Sequence, residues 1–218
     1  LDRGYDEART RARRAAVSAI QVATGYWTVA QHTAAPGSVS LSDVIRTFER
    51  FLQPQDLLTL DAGSNRIWAT SQLKIRTPGQ LIVPGGIGGM GWGPPAAAAA
   101  KLVHPGKRVT CLVGDGGFMM TMPVLTACVQ NDLPIVVVVA NNSGLGMVRD
   151  NLKASPIAVD YADIDFARIA EGLGCKGLRV DAPGQLDDAL AEAHRSGVPC
   201  VIDVTVDPES SHVQVSHY

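Results

Sequence analysis

The chain has 218 residues, of which 46% are hydrophobic and 18% charged, so general disorder is excluded and one sizeable domain with an appendage is expected. The formal net charge of −2 argues against a nucleic-acid-binding surface. No run of about 18 apolar residues occurs, so no membrane span is expected. The cysteines are scattered without a C-x-x-C pair, which predicts reduced core thiols in a cytosolic protein: Cys111, Cys128, Cys175 and Cys200.

Residues 1–38 are predicted to be a linker or the end of a preceding domain. An Ala- and Arg-rich helix is expected over residues 6–23, followed by an irregular stretch to Gly37. The first residue is Leu rather than Met, which suggests a piece of a longer protein. Residues 39–218 are then expected to form a separate ligand-binding domain.

Strands and helices alternate from Ser40 onward, where Ser40 and Asp43 form the capping pattern of a first helix. Strands are predicted at residues 57–60, 81–83, 109–113, 135–140, 177–180 and 200–206. Further helices are predicted after Ser64 and at residues 95–103, 122–131, 145–152, 165–173 and 186–196. Because the strands are almost continuously apolar, this order predicts a three-layer α/β/α fold with a mainly parallel sheet.

The glycine-rich segment 84–93 (PGGIGGMGWG) has the most unusual composition in the chain. So many glycines are entropically costly, and they are typical of places where backbone contacts a ligand. A flexible linker is the alternative interpretation. Linkers are seldom followed at once by an Ala-rich buried helix, such as the one predicted at residues 95–103, and the ligand-contact interpretation is therefore favoured.

A second glycine motif, Gly114-Asp115-Gly116-Gly117, follows the apolar strand 109–113. Ligands of open α/β sheets bind in the crevice beyond such strand ends. Gly116 and Gly117 lack side chains, so their backbone N–H groups can approach an anion closely. The helix predicted at about residues 122–131 points its positive N-terminal end the same way.

Asp115 would repel a phosphate at this place unless a cation lay between them. Asn142 follows the next strand at the same edge of the sheet, and its amide oxygen, with the carbonyl of Gly144, completes an oxygen-rich set that suits Mg²⁺. A Gly-Asp-Gly turn and an Asn pair are each common in loops, so the combination carries the prediction. No G-x-x-x-x-G-K-[ST] motif occurs, which excludes a P-loop as the explanation.

From Ser38 to Pro208 the sequence resembles the C-terminal, diphosphate-binding domain of thiamine diphosphate enzymes related to acetohydroxyacid (acetolactate) synthase. Four blocks in the same order carry the resemblance: DAGSNRIWA at 61–69, GGIGGMG at 85–91, GDGGF at 114–118, and Asn141-Asn142 with GMVR at 146–149. The resemblance implies the thiamine diphosphate-binding fold for residues 39–218. It also implies two upstream domains, with residues 1–38 as the tail of the middle one.

The resemblance assigns Asp115, Asn142 and the carbonyl of Gly144 to Mg²⁺, and the N–H groups of Gly116 and Gly117 to the diphosphate of thiamine diphosphate. Further cofactor contacts are implied for Gly114, Leu145 and Gly146.

The reacting end of the cofactor is assigned to the glycine-rich segment. The resemblance implies that Met90 wedges under the cofactor and bends it, while the carbonyl of Gly88 and the N–H of Met90 hold the aminopyrimidine. Met147 is implied to line the substrate side, with ordinary core packing as its alternative.

The implied activity is a 2-oxo acid decarboxylase or carboligase, a lyase or transferase, in a homodimer or homotetramer. The activating glutamate would come from an N-terminal domain, usually of a partner subunit. One alternative is a separate diphosphate-binding subunit, as in sulfopyruvate decarboxylase; the missing cysteine cluster argues against a 2-oxoacid:ferredoxin oxidoreductase. Another is a non-catalytic regulatory domain, which the presence of Asp115 and Asn142 disfavours.

Asn151 stands where acetohydroxyacid synthases carry Trp, and Pro94-Pro95 replaces Leu-Pro, so the acceptor substrate is left unassigned.

Overall fold

The computed structural model describes residues 6–24, 32–152 and 157–215. The chain divides into two compact units, residues 1–31 and residues 32–218. In the first unit lies α1 (Glu7–Thr24), within one residue of its predicted bounds. The irregular stretch expected after it falls largely on residues 25–31, outside the described residues. The domain boundary predicted at residue 38 stays a prediction.

A six-stranded, fully parallel sheet forms the centre of the second unit, with the strand order β2-β1-β3-β4-β6-β5. The strands are β1 (Leu57–Leu60), β2 (Leu81–Ile82), β3 (Val109–Gly114), β4 (Val136–Asn141), β5 (Lys176–Val180) and β6 (Cys200–Thr205). The predicted strands are thus confirmed. Strand 81–83 resembles a buried strand in its apolar composition, but β2 is an edge strand that pairs with β1 alone and is only half-buried.

Helices cover both faces of this sheet, which confirms the three-layer α/β/α architecture. They are α2 (Leu41–Phe51), α3 (Ser64–Gln72), α4 (Gly93–Val103), α5 (Asp115–Thr121), α6 (Val124–Gln130), α7 (Gly146–Leu152), α8 (Phe166–Gly172) and α9 (Gln185–Ser196). Helices α2, α3 and α9 contact one another or one face of the sheet, and the core on the opposite face draws on α4, α5, α6 and α8. There Phe118 and Phe166 pack edge to face with ring centroids 5.4 Å apart.

The local sequence explains how these helices begin. The Ser40 hydroxyl accepts a hydrogen bond from the Asp43 N–H at 3.1 Å, so the predicted cap of α2 is confirmed. The Asp165 carboxylate accepts from the Arg168 N–H at 2.9 Å and caps α8 in the same way. Pro94 stands at the start of α4, where a missing N–H costs nothing.

The helix predicted at residues 122–131 is present as α6, within two residues of its predicted bounds, but the helix that precedes it was not predicted. Helix α5 begins at Asp115, directly after β3, so Gly116 and Gly117 lie in its first turn rather than in a loop before it. Glycine in a helix costs about 1 kcal/mol relative to alanine, which is why propensity alone favoured a loop. A break follows, and α6 begins after Pro123, which cannot donate a helical hydrogen bond.

All four cysteines are buried and free, as expected for core thiols. Burial raises the pKa of the Cys128 thiol to about 11, with a smaller contribution from Cys175. Among the described residues, no helix is long and apolar enough to cross a membrane.

Candidate active site

A pocket of about 260 Å³ opens at the carboxyl edge of the sheet. Segments that follow β1, β2, β3, β4 and β6 line it, as expected for an α/β crevice. Every residue of the predicted site is among the lining residues: Gly88, Met90, Gly114, Asp115, Gly116, Gly117, Asn142, Gly144, Leu145, Gly146 and Met147. The structure therefore brings these residues together, while the role of each stays a prediction.

Asp115 is the one charged side chain among the described residues that line the pocket, and it is only 3% exposed. Its Oδ1 accepts a hydrogen bond from the N–H of Gly116 at 2.7 Å. Its Oδ2 accepts from the N–H groups of Asn142 at 3.1 Å and Gly144 at 3.0 Å. Because these donors are backbone groups from two segments, they hold the carboxylate in place beneath the loop that follows β4.

Burial raises the pKa of the Asp115 carboxyl to about 6 from an ordinary 3.8, although the backbone donors of Gly144, Gly116, Asn142 and Ser143 oppose the rise. The ligand-free fold therefore favours the protonated form more than the unfolded chain does. The resulting contribution to stability is complete below the unfolded pKa and is lost as pH rises through about 6.

An Asp115→Asn variant has no such titration. We therefore expect the free energy of unfolding of the parent, minus that of this variant, to fall as pH rises from about 4 to above about 6. Urea denaturation of the ligand-free, metal-free proteins across this range measures the difference. A difference independent of pH would contradict the raised pKa.

The loop after β4 has an unusual backbone. Ser143 has φ +53°, in the left-handed region that non-glycine residues rarely adopt. Its neighbour Gly144 pairs in antiparallel fashion with Asp160, and the Leu145 N–H donates to the Val159 carbonyl at 2.7 Å. Arg149 reinforces the arrangement, since its Nε donates to Asp160 Oδ1 at 2.7 Å. The strain at Ser143 is therefore sustained by surrounding contacts, as at many functional sites.

At several glycines of the pocket an added Cβ would force a neighbouring atom to move. A Cβ on Gly116 would lie 2.6 Å from Leu145 Cδ2, and one on Gly146 would lie 2.5 Å from Asn142 Nδ2. A Cβ on Gly117 would collide with Oδ2 of Asp61. These close approaches explain why two glycines are kept in the first turn of α5 despite their poor helix propensity.

Asp61, which was not among the predicted site residues, fixes the glycine-rich segment. This fully buried carboxylate accepts hydrogen bonds from the N–H of Gly91 at 2.8 Å and of Trp92 at 3.0 Å. Gly91 itself has φ +84°, which favours glycine. Asp61 thus ties the segment that carries Gly88 and Met90 to the end of β1. The sequence could have indicated Asp61, because this residue directly follows a buried strand and begins the DAGSNRIWA block.

Gly88 and Met90 both face the pocket. Gly88 has φ +69° and lies close to the Arg66 guanidinium. A Cβ built on Gly88 would lie 3.1 Å from Nη1 of Arg66. Met90 is 37% exposed, and its Cε lies 3.1 Å from a Cβ built on Gly116. The glycine-rich segment therefore meets the Asp115 segment across the pocket. Met147 is half-buried on α7 and lines the same pocket, whereas Asn151 is exposed and does not.

Several lining residues were missed by the sequence analysis. They are Leu41, Ala62, Gly63, Ser64, Asn65, Ala140, Val148 and Val206. Ser64 and Asn65 belong to a block that already carried the resemblance, so their contribution could have been inferred. Leu41 gave no signal, because its position at the pocket depends on how α2 packs in the finished fold.

The chemistry of the pocket favours a hard cation. No group of three or more His, Cys, Asp or Glu side chains suited to a metal occurs in the described part of the chain. A lone carboxylate with amide and carbonyl oxygens nearby instead matches the usual coordination of Mg²⁺. This ion binds one or two protein carboxylates, and ligand phosphates and water complete its coordination shell. The residues present therefore fit a magnesium–phosphate group.

Comparison with known proteins identifies the family. The family described as "Thiamine pyrophosphate enzyme, C-terminal TPP binding domain" matches residues 61–204. Thiamine pyrophosphate is another name for thiamine diphosphate.

Three curated relatives are similar to this chain. The acetolactate synthase isozyme 3 large subunit of Escherichia coli (strain K12) is 35% identical over 178 residues, which cover 78% of this chain and 31% of that protein. The acetolactate synthase of Bacillus subtilis (strain 168) is 34% identical, over 76% of this chain and 30% of that protein. The probable acetolactate synthase large subunit of Methanococcus aeolicus is 35% identical, over 71% and 27%. The chain thus spans less than a third of the length of these relatives.

A solved structure has a similar fold. It is the thiamine diphosphate-dependent 4-hydroxybenzoylformate decarboxylase of Rhodococcus jostii RHA1, with a TM-score of 0.75, 24% identity, and coverage of 82% of this chain and 34% of that one. Because the family match and these relatives cover most of the second compact unit, the chain belongs to the thiamine pyrophosphate enzyme family, as a C-terminal cofactor-binding domain related to that of acetolactate synthase large subunits.

Proposed function

We propose that this chain is the diphosphate- and magnesium-binding part of a 2-oxo acid decarboxylase or carboligase of the acetolactate synthase kind. The observation that carries the proposal is the buried Asp115 carboxylate, held by backbone N–H groups in a glycine-walled pocket. The membership of the thiamine pyrophosphate family supports the cofactor, and the similarity to acetolactate synthases supports the substrate class.

Mg²⁺ would be held by the Asp115 carboxylate, the Asn142 amide oxygen and the Gly144 carbonyl. Asp115 is close to the other two segments, since its Oδ2 already accepts from the N–H groups of Asn142 and Gly144. The carboxylate keeps lone pairs beyond these bonds, so it can bind a cation without losing its backbone support. The remaining metal ligands would be diphosphate oxygens and water.

The diphosphate would lie against Gly116 and Gly117, with Gly114, Leu145 and Gly146 around it. The missing side chains leave the backbone N–H groups open to close approach. The Gly116 N–H donates to Asp115 Oδ1 at 2.7 Å, so diphosphate binding would exchange that one bond while the N–H groups of Asn142 and Gly144 continue to hold Oδ2.

When bound, thiamine diphosphate supplies the carbon nucleophile and the electron sink for decarboxylation of a 2-oxo acid. The chain's own contribution is to position that cofactor. Gly88 would accept from the aminopyrimidine through its carbonyl, and the Met90 N–H would donate to the ring. Met90 lines the pocket on the segment that Asp61 anchors, which supports a role as a wedge under the cofactor.

Calorimetric titration of thiamine diphosphate into the intact protein, with and without Mg²⁺, tests the proposed function. We expect saturable binding that requires Mg²⁺. Thiamine without phosphates is the matched control ligand and should bind far more weakly, because the metal and the glycines contact the diphosphate. Failure of thiamine diphosphate to bind in the presence of Mg²⁺ would reject the proposal.

Replacing Met90 with alanine is expected to leave binding of thiamine diphosphate nearly unchanged while slowing hydrogen–deuterium exchange at the cofactor C2 by about tenfold or more, equivalent to about 1.4 kcal/mol. The diphosphate contacts persist, but the bend that brings the amino nitrogen to C2 is less enforced. Quenched-flow exchange followed by NMR measures the rate, in the complete enzyme that supplies the activating glutamate. Met120→Ala is the control, since Met120 is 60% exposed and does not line the pocket. An exchange rate equal to the parent's would make Met90 a packing residue only.

We further propose a homodimer or homotetramer in which another polypeptide covers the glycine-rich segment. Ile87 is fully exposed there and Met90 is partly exposed, so an apolar surface is available for burial. A cytoplasmic location is supported by the four free, buried thiols.

A further inference from the structure

Tyr161 places an unsatisfied hydroxyl beside the pocket. Three buried side-chain oxygens among the described residues have no hydrogen-bond partner, those of Thr121, Tyr161 and Thr205. The phenol oxygen of Tyr161 lies 2.9 Å from a Cβ built on Gly116, in the same space that Leu145 Cδ2 and Met90 Cε approach. Gly116, Leu145 and Met90 all line the pocket, and the Tyr161 hydroxyl lies directly behind them, although Tyr161 is not itself a lining residue.

The backbone holds this side chain in place. The Tyr161 N–H donates to the Ser143 carbonyl at 3.0 Å, and Asp160 beside it pairs with Gly144. The residues around Tyr161 therefore form an extended segment against the loop that follows β4. That loop also carries Asn142, one of the proposed metal ligands, so Tyr161 is positioned by the same contacts as the proposed site.

A buried hydroxyl without a partner is unfavourable, and such groups are normally satisfied. Asp115 is close enough to act on Tyr161 electrostatically, yet both of its oxygens already accept from backbone N–H groups. Burial, and secondarily the charge of Asp115, raises the pKa of Tyr161 to about 12; Arg149 lowers it and Asp160 raises it. The hydroxyl is thus protonated at neutral pH and can act as a neutral donor.

We propose that Tyr161 is a cofactor-binding residue whose hydroxyl donates a hydrogen bond to an anionic oxygen of the diphosphate seated against Gly116. This inference rests on the proposed function. A neutral donor adds no positive charge beside Mg²⁺ and no negative charge beside the phosphates, so it suits a site where Asp115 already supplies the charge that holds the metal. The hydroxyl has no hydrogen-bond partner among the described residues, and the bound diphosphate would satisfy it.

The test is Tyr161→Phe, which removes the hydroxyl alone. In calorimetric titrations of the intact protein, we expect the Kd of both Mg²⁺–thiamine diphosphate and Mg²⁺–inorganic diphosphate to rise by about tenfold. The melting temperature of the ligand-free variant should be unchanged or higher, because an unsatisfied group has been removed. Thr121→Val is the matched control: it removes another unpartnered buried hydroxyl, on a side chain that lies near Gly91 rather than Gly116, and should leave both Kd values unchanged.

The outcomes separate this inference from the proposed function. If the parent binds both probes and Tyr161→Phe binds them equally well, the role of Tyr161 is rejected while the proposed function stands. A variant that melts lower without ligand, or fails to fold, would show that the hydroxyl supports the empty protein and would also reject it. If the parent binds neither probe, the proposed function itself fails.

Discussion

Replacing Asp115 with alanine is expected to abolish Mg²⁺-dependent binding of thiamine diphosphate. Asp115 is the only charged side chain among the described pocket residues, and every other proposed protein ligand of the metal is a neutral oxygen. With its pKa raised to about 6, the carboxyl is largely ionised at neutral pH and available to a cation. Without it, two phosphates and a weakly held metal would face a pocket that offers only neutral groups.

Binding to the Asp115→Ala, Asn142→Ala and parent proteins is compared by calorimetry at the same Mg²⁺ concentration. Asn142→Ala should weaken binding less, because it removes a neutral ligand. Asp163→Ala is the matched control: it deletes an exposed carboxylate outside the pocket and should bind like the parent. Thermal unfolding without ligand checks that the Asp115 variant folds, since the N–H groups of Asn142 and Gly144 lose their acceptor. Parent-like affinity in a folded Asp115→Ala protein would reject the metal site.

The sequence predicted the edge of the sheet that carries this site because its signals are local. Val136, Val137, Val138 and Val139 are all buried, as an uninterrupted apolar run in a parallel sheet requires. The parallel register of β3 and β4 then brings their ends together, so Asp115 and Asn142 become neighbours across the sheet. Apolar runs followed by polar and glycine residues were sufficient to predict that proximity.

Local sequence patterns could predict neither the position of Tyr161 nor the start of α5, for different reasons. The Tyr161 hydroxyl comes close to Gly116 because Asp160 pairs with Gly144, a contact between segments that no periodicity predicts. Helix α5 begins at Asp115 despite the poor helix propensity of Gly116 and Gly117, and their missing side chains leave room for Leu145 and Asp61. In both cases the deciding neighbour lies far away in the chain.

Residues 1–218 by themselves are expected to show no turnover of a 2-oxo acid. Activation of thiamine diphosphate in the family that this chain resembles needs a glutamate beside the aminopyrimidine ring, opposite the amino group that Gly88 would hold. The chain has five glutamates, and none of them lines the pocket: Glu7, Glu49, Glu171, Glu192 and Glu209. Glu49 pairs with Lys74 and Glu192 with Lys176, on helices α2 and α9.

The activating carboxyl would come from an N-terminal domain. The exposed face around Ile87 and Met90 is the surface that this other polypeptide would contact. The test is to express residues 1–218 alone and assay 2-oxo acid decarboxylation with thiamine diphosphate and Mg²⁺, then to repeat it with the N-terminal domain added in trans. We expect activity only in the second assay, and no restored activity when the domain's glutamate is replaced by glutamine. The segment should still bind thiamine diphosphate alone if it folds, which separates a missing activator from a missing site. Decarboxylation by the monomeric segment would mean that its own residues activate the cofactor, and the interface would then have no catalytic part.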